Sequence, residues 1–421
     1  MLSRLLTRIG LSRFAPRPRL PGVPVAAEAV ATIDTAPHDL IGSMIDSLNA
    51  LRDQALYRFE ELPPQTVQAY YSDYWLAQVL NGGHSQFLHN SGRAPEIFEA
   101  VDGGLAAMGA SEHRAIFARM RDWAATHPDE AAAQTGFSGG RASELDELDS
   151  RFYDLENLTP LAPILARWLA ATDALRPVPR ADIPQAIAAA ARANPAAEHR
   201  AMARRIGQVR YMLTDPHYAG FGIAATRVPG WSALIALGGG SYREIEGRQQ
   251  LAFHVETTSG PCFGVLDAQG ARLYARHQPD NPVIDMQDPD DVSAAMRDGR
   301  MAAMKQPGVG ALKAAVPAAE LTRVTQLCRD MDAATAVDLL LRREKTDPGL
   351  KTVFVADATT GAPGRPDRLV LTVLLPQRMM TRSVGLFHNG AILVGPDGKQ
   401  QIAKATRRAI TRHAAHCAVD S

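Results

Sequence analysis

The chain has 421 residues, 46% of them apolar and 21% charged, and its 45 Lys/Arg balance 45 Asp/Glu. That length exceeds one ordinary core, so two or three globular domains are expected. Three widely spaced cysteines suggest neither a disulfide framework nor a paired-cysteine metal site, which points to a reducing cytoplasm, and no run of 18 apolar residues marks a membrane span.

Residues 1–38 place Arg4, Arg8, Arg13, Arg17 and Arg19 before the first acid, Glu28. They read as a disordered basic tail or a transit-like segment, and they lack the apolar core of a secretory signal. Residues 39–61 read as a helix, with Asp39 as its cap and Leu40, Met44, Leu48 and Leu51 as its apolar stripe. Tyr70, Tyr71, Tyr74, Trp75 and Gln78 then share one face of a second helix. Asn81-Gly82-Gly83 stops it, and a short helix from His84 to Asn90 follows, ended by Ser91-Gly92, so 70–92 is expected to form a helix hairpin. Further helices are expected over 95–108, 111–125, 143–155 and 158–175, with a loop or short helical stretch over 127–140 that ends in Gly139-Gly140. Together these make an all-α domain over 39–176.

Residues 177–215 are rich in Ala and Arg and read as a helical bridge. From about Tyr218 the pattern alternates. Strands are expected at 231–237, 250–258, 261–267 and 271–275, with a turn at 267–270. Asp288-Pro289 opens a helix, and helices continue near 317–345. Strands follow at 352–357, 368–376, 384–388 and 391–395. Asn389-Gly390 joins the last two as a tight hairpin, Pro396 to Gly398 is a further turn, and 399–416 reads as the final helix. The expected fold class is α+β overall: an all-α N-terminal domain followed by an α+β domain over 216–421 with antiparallel hairpins.

The run Asn81, Gly82, Gly83, Gln86, Phe87, Asn90 and Ser91 resembles the signature of a DNA-mimic-protein-type helical domain family, mostly of unknown function. The stretches 100–110 and 145–155 resemble the same family, so the likeness covers roughly residues 40–175. It implies a helical fold and, for at least one member, imitation of DNA. His84 stands where the family more often has an aromatic or aliphatic residue. The amides of the motif read either as a polar pocket or as groups that satisfy one another inside a helix pair.

Charge is unevenly spread. Residues 40–175 hold 19 Asp/Glu, 9 Arg and no Lys, a net −10 that the remainder balances with +10. Glu60, Glu61, Asp129, Glu130, Glu144, Asp146, Glu147 and Asp149 are the candidates for a partner-binding face, because carboxylates in rows can occupy a basic cleft built for phosphates. A solvated acidic surface is the plain alternative. Lys404, Arg407, Arg408 and Arg412 form a basic stripe on the final helix, open to nucleic acid, an acidic partner or the acidic part of the same chain. His413 and His416, with Cys417, show a metal-ligand spacing near the C-terminus. No cofactor is expected: Gly238-Gly239-Gly240 lacks a following Lys-Ser/Thr, and no Gly-x-Ser-x-Gly or His-Glu-x-x-His occurs. The reading is a non-enzymatic interaction protein whose acidic helical domain binds a protein partner, with a nucleic-acid-binding one, met by DNA mimicry, among the candidates. A ligand-binding module or enzyme around His254 or His388 and a bacterial defence accessory protein are the alternatives.

Overall fold

The structure, a computed structural model, describes residues 19–135, 142–277, 279, 281–285, 288–303, 305–344, 349–359, 367–376, 380–396 and 398–417. The chain folds as two compact units, Met1–Arg200 and Ala201–Ser421, so the stretch expected to be a bridge is divided between them. The N-terminal region is mostly helical, and the C-terminal region holds two antiparallel five-stranded sheets with helices, an α+β protein.

The first unit begins with a strand. β1 (Val23–Ala26) pairs in parallel with β2 (Leu175–Val178). Val23, Val25 and Ala26 have no exposed surface, and the Ala26 amide donates to Ser43 Oγ at 2.9 Å. The tail expected over 1–38 is therefore ordered from Val23, because the Val-Pro-Val run is apolar enough to be buried. The arginines at 4, 8, 13 and 17 lie outside the described residues. α1 (Ala27–Ala31) and α2 (Pro37–Asp53) follow. Pro37 opens α2, so Asp39 sits in the first turn and not at the cap. This helix ends at Asp53, eight residues short of expectation, and only Phe59–Glu61 makes a further single turn.

α3 (Pro64–Asn90) carries the organising motif. α4 (Pro95–Ala107), α5 (Ser111–Thr126), α6 (Pro128–Ala133), α7 (Ser143–Leu158), α8 (Leu161–Ala170) and α9 (Ile183–Ala193) complete the bundle. The glycine pair expected to end the loop after 127 lies outside the described residues. The core is aromatic: Trp75, Phe87, Phe117 and Phe152 are fully buried, and the Trp75 ring meets Phe152 at 5.0 Å and Phe117 at 5.5 Å, both edge-on.

In the second unit, α10 (Ala197–Thr214) leads to α11 (Pro216–Thr226), a stretch expected to begin strand texture. Asp215 caps α11 by accepting the His217 and Tyr218 amides, each at 3.0 Å, and Pro216 occupies the first turn. α11 is apolar all round because it is covered on two sides. A β-carbon on Gly220 would lie 2.6 Å from Ala271 Cβ, and one on Gly222 would lie 2.6 Å from Phe354 Cβ, so one face packs on each sheet.

One sheet runs β3 (Leu234–Ile245), β4 (Arg248–Thr257), β5 (Gly260–Asp267), β6 (Gly270–His277), β7 (Gly308–Pro317). The triple glycine lies inside β3, where the register against β4 shifts between Leu237 and Gly240, so it is a bulge. The other sheet holds β8 (Thr352–Thr359), β9 (Arg368–Leu374), β10 (Thr381–Phe387), β11 (Gly390–Val394) and β12 (Gln401–Thr406). The helix expected over 399–416 starts only at Arg407; before it, Ala403 and Ala405 pair with Leu393 and Ala391 as strand residues. Among the helices, α12 (Pro289–Arg297) opens on Asp288 as expected, since its side chain accepts the Asp290 amide at 3.0 Å. α13 (Ala318–Asp330), α14 (Ala333–Leu341) and α15 (Arg407–Cys417) close the unit.

Candidate functional site

The expected hairpin at 70–92 is a joint within α3. Helical geometry holds up to Asn81, fails at Gly82 (φ −156°, ψ 20°) and Gly83 (φ 76°, ψ −178°), and resumes at His84. The Gly83 conformation is essentially restricted to glycine. Space makes the same demand. A β-carbon on Gly83 would lie 2.0 Å from Asp149 Oδ2, and one on Gly82 would lie 2.0 Å from Gln86 Oε1.

Asp149 therefore reaches from α7 into the break. Its Oδ1 accepts the His84 amide at 2.8 Å and lies 2.6 Å from His84 Nδ1. Tyr153, one turn further along α7, donates its hydroxyl to the Val79 carbonyl at 2.9 Å, one of the carbonyls the break leaves without a helical partner. The motif amides form a chain that runs through Gln78. Asn81 Nδ2 donates to Gln86 Oε1 at 3.1 Å, Gln86 Nε2 to Gln78 Oε1 at 2.9 Å, and Asn90 Nδ2 to the same Gln78 oxygen at 2.6 Å. Phe87 stacks against Phe98 at 5.7 Å, and the Ser91 hydroxyl accepts the Arg93 amide at 3.2 Å. The seven motif residues thus lie around one joint, where Asn81 bonds Gln86 and the others meet Gln78, Asp149, Phe98 and Arg93.

Two of the eight acidic candidates are internal. Asp149 is 4% exposed and is spent on the break. Glu61 is 1% exposed and takes both forks of Arg200, at 2.5 and 2.6 Å, with the Arg58 amide at 2.9 Å. Burial alone would raise the Glu61 carboxyl, but the bonds from Arg200 and the Arg58 amide more than reverse this and hold it below the usual range. A carboxylate is tolerated inside only when so paired. Glu60, Asp129, Glu130, Glu144, Asp146 and Glu147 are exposed, as is Asp154 on α7. Glu147 and Asp154 stand two turns apart on α7, roughly 10 Å along its axis, with Arg151 between them. Beside this face lie two exposed apolar side chains, Tyr153 at 38% and Leu80 at 52%.

A feature without a signal in the sequence is an open groove of about 510 Å³ between α4 and α5, floored by Phe98 and Ala124 and edged by Arg93, Glu99, Asp102 and Arg121. Asp102 is engaged by Arg114 at 2.9 and 3.0 Å, and that hydrogen-bonded pairing holds its pKa below the usual carboxylate range.

The C-terminal candidates separate. Lys404 lies on β12, whereas Arg407, Arg408 and Arg412 lie on α15, so the four form no single helical stripe. Arg407 turns inward and donates to the Met331 and Asp330 carbonyls at 2.6 and 3.2 Å, closing the end of α13. His413 does not pair with His416 around a metal. Its Nε2 lies 2.7 Å from Asp338 Oδ2, a buried carboxylate that also receives Arg205 at 3.0 Å and Arg342 at 2.9 Å. Among the described residues no group of three or more His, Cys, Asp or Glu is placed to hold a metal ion. His388 is exposed beside its hairpin, and His254 lies half-buried on β4.

Residues 60–172 match the family model described as DMP19-like protein. This stretch is similar to the DMP19-like proteins over about a quarter of the chain. The match opens at the turn before α3 and closes just after α8, so it encloses the broken helix, its Asp149 tether and the acidic α7. No curated protein and no solved structure matches the chain. Among the described residues no helix is long and apolar enough to cross a membrane.

Proposed function

We propose that the DMP19-like domain binds a basic surface on a protein partner, one whose own ligand is nucleic acid. The family match carries this reading, since the resemblance is to proteins that imitate DNA. The exposed carboxylates of α6 and α7 are the groups that would face the partner's cations. Tyr153 and Leu80 add an apolar anchor beside them, the kind of residue that dominates binding at the centre of an interface. Glu61 and Asp149 are left out of the contact because each is buried and engaged inside.

The test is capture from lysate by the full chain, compared with a Glu144→Lys/Glu147→Lys/Asp154→Lys variant. A partner that is displaced by double-stranded DNA and by high salt, and that is lost in the charge-reversed chain, is the expected result. Retention of the same partners by the folded variant, indifferent to DNA, would refute the reading.

A further inference from the structure

The second unit carries positive groups that form no ion pair among the described residues. In the register of the first sheet, His254 on β4 stands opposite Phe263 on β5, and Phe263 opposite Tyr274 on β6. Strand alternation then places Arg243, His254, Phe263 and Arg276 on one face, while Val255, Cys262 and Leu273 point into the main core on the other. Phe263 is fully buried in a small separate cluster with Ile245, Ala252, Val265 and Tyr274. Three cationic or titratable groups converge on its ring. The guanidinium carbons of Arg243 and Arg276 lie 5.4 and 5.8 Å from its centroid, and the His254 ring lies 5.3 Å away.

Counter-charge is where the cluster departs from an ordinary sheet surface. Arg272, on the same face, is matched by Asp267 at 2.5 Å and Glu246 at 4.0 Å. Arg243 has only neutral acceptors, Ser241 Oγ and Gln306 Oε1, both at 3.1 Å. Arg276 Nε is buried and has no hydrogen-bond partner among the described residues. Glu256, two residues along β4 on the same face, makes no ion pair with either arginine. His254 is held below the ordinary imidazole range by burial first and then by the charges of Arg276 and Arg243, so all three feel one another's field. Like charges gathered over a ring with an empty buried donor are an arrangement completed by an anion.

We propose that this face of the sheet is an oxyanion site, which takes a phosphate group between Arg243 and Arg276. Two planar guanidinium forks suit the several oxygens of a tetrahedral phosphate better than the two of a carboxylate. Phe263 is buried and offers no stacking surface, so the phosphate is recognised and a nucleobase is not. The phosphate arrives either free or within a phosphodiester chain. The site is independent of the partner reading for the first unit.

The test uses the full chain. The His254 ring is titrated by NMR with and without inorganic phosphate, and phosphate affinity is measured by calorimetry. Phosphate is expected to raise the His254 midpoint. Arg276→Gln and Arg243→Gln are each expected to weaken phosphate about tenfold, while Arg248→Gln, which removes an exposed charge from the same sheet, leaves it unchanged. A His254 midpoint indifferent to phosphate overturns the proposal without any variant having to fold, and so does an Arg248→Gln loss equal to that of Arg276→Gln. A short single-stranded oligodeoxynucleotide then separates the sources: it displaces phosphate if the chain is the ligand and fails to do so if the free ion is.

Discussion

Gly83→Ala tests whether the motif is an internal joint. The new β-carbon meets a backbone with φ 76° and ψ −178°, which strains any other residue by about 1–3 kcal/mol. It also falls 2.0 Å from Asp149 Oδ2 and 2.8 Å from its Cγ, so the carboxylate must withdraw. Withdrawal breaks the contacts to the His84 amide and ring at 2.8 and 2.6 Å, around a side chain with no exposed surface. Leaving buried donors unmet costs about 1–3 kcal/mol more. The sum is about 4 kcal/mol. For a unit of this size that is a fall in Tm of roughly 8–16 °C. Tryptophan fluorescence is the natural probe, because Trp75 is fully buried with its ring 6.0 Å from His84. Gly92→Ala is the control: its φ is also positive, at 59°, but a β-carbon there meets nothing within 4 Å. It should cost about 1 kcal/mol. A Gly83→Ala protein no less stable than Gly92→Ala would refute the joint.

Glu61→Gln should destabilise the first unit by about 3 kcal/mol at neutral pH, since it leaves Arg200 facing a neutral amide. The folded Glu61 carboxyl titrates below its unfolded value, so its contribution is complete above about pH 4.3 and disappears as pH falls further; urea melts should show the gap between wild type and variant closing in acid. Asp338→Asn should free α15, read as faster amide exchange over 407–417, with a loss of about 3–5 kcal/mol because Arg205, Arg342 and His413 then lose the buried carboxylate they share. Burial pushes the Cys328 thiol up to about 12, so the folded chain should leave it unalkylated at pH 8 while urea exposes it, as peptide mass mapping would show. Equal labelling in both states would count against the fold around α13.

Much of the domain was legible because its signals are local. Asn81-Gly82-Gly83 announces a helix break, Asp288-Pro289 a helix start and Asn389-Gly390 a hairpin, each within a few residues. What was misread depends on contacts far along the chain. Glu61 finds its partner 139 residues away at Arg200, and nothing beside Glu61 points there. β12 reads as helix because Ala, Lys and Gln favour helices; only the waiting edge of β11 makes it a strand. Asp149 is different, since its signal was present. Leu145, Leu148, Asp149 and Phe152 follow i, i+3, i+4, i+7, which sets the carboxylate on the buried stripe of α7 and not among the acids around it.

Moving the domain border also reshapes the electrostatics. Taken over 40–175 the acidic excess is 10, but the sequence over 1–200 adds Arg176, Arg180, Arg192 and Arg200 after that stretch and five arginines before it. Residues 1–200 then hold 24 Asp/Glu and 18 Arg, a net −6, against +6 for residues 201–421. Of that acid, Glu61 and Asp149 are answered inside, and Arg151 interrupts the row on α7. The exposed carboxylates are therefore patches and not an unbroken phosphate-like ladder. Patches of this kind steer encounter and discriminate partners, while residence time falls to apolar contact. Under the proposed function, that division gives the two halves of the face different work. Glu144, Glu147 and Asp154 would set how fast a basic partner arrives. Tyr153, whose hydroxyl is fixed on Val79 and whose ring is partly exposed, would set how long it stays.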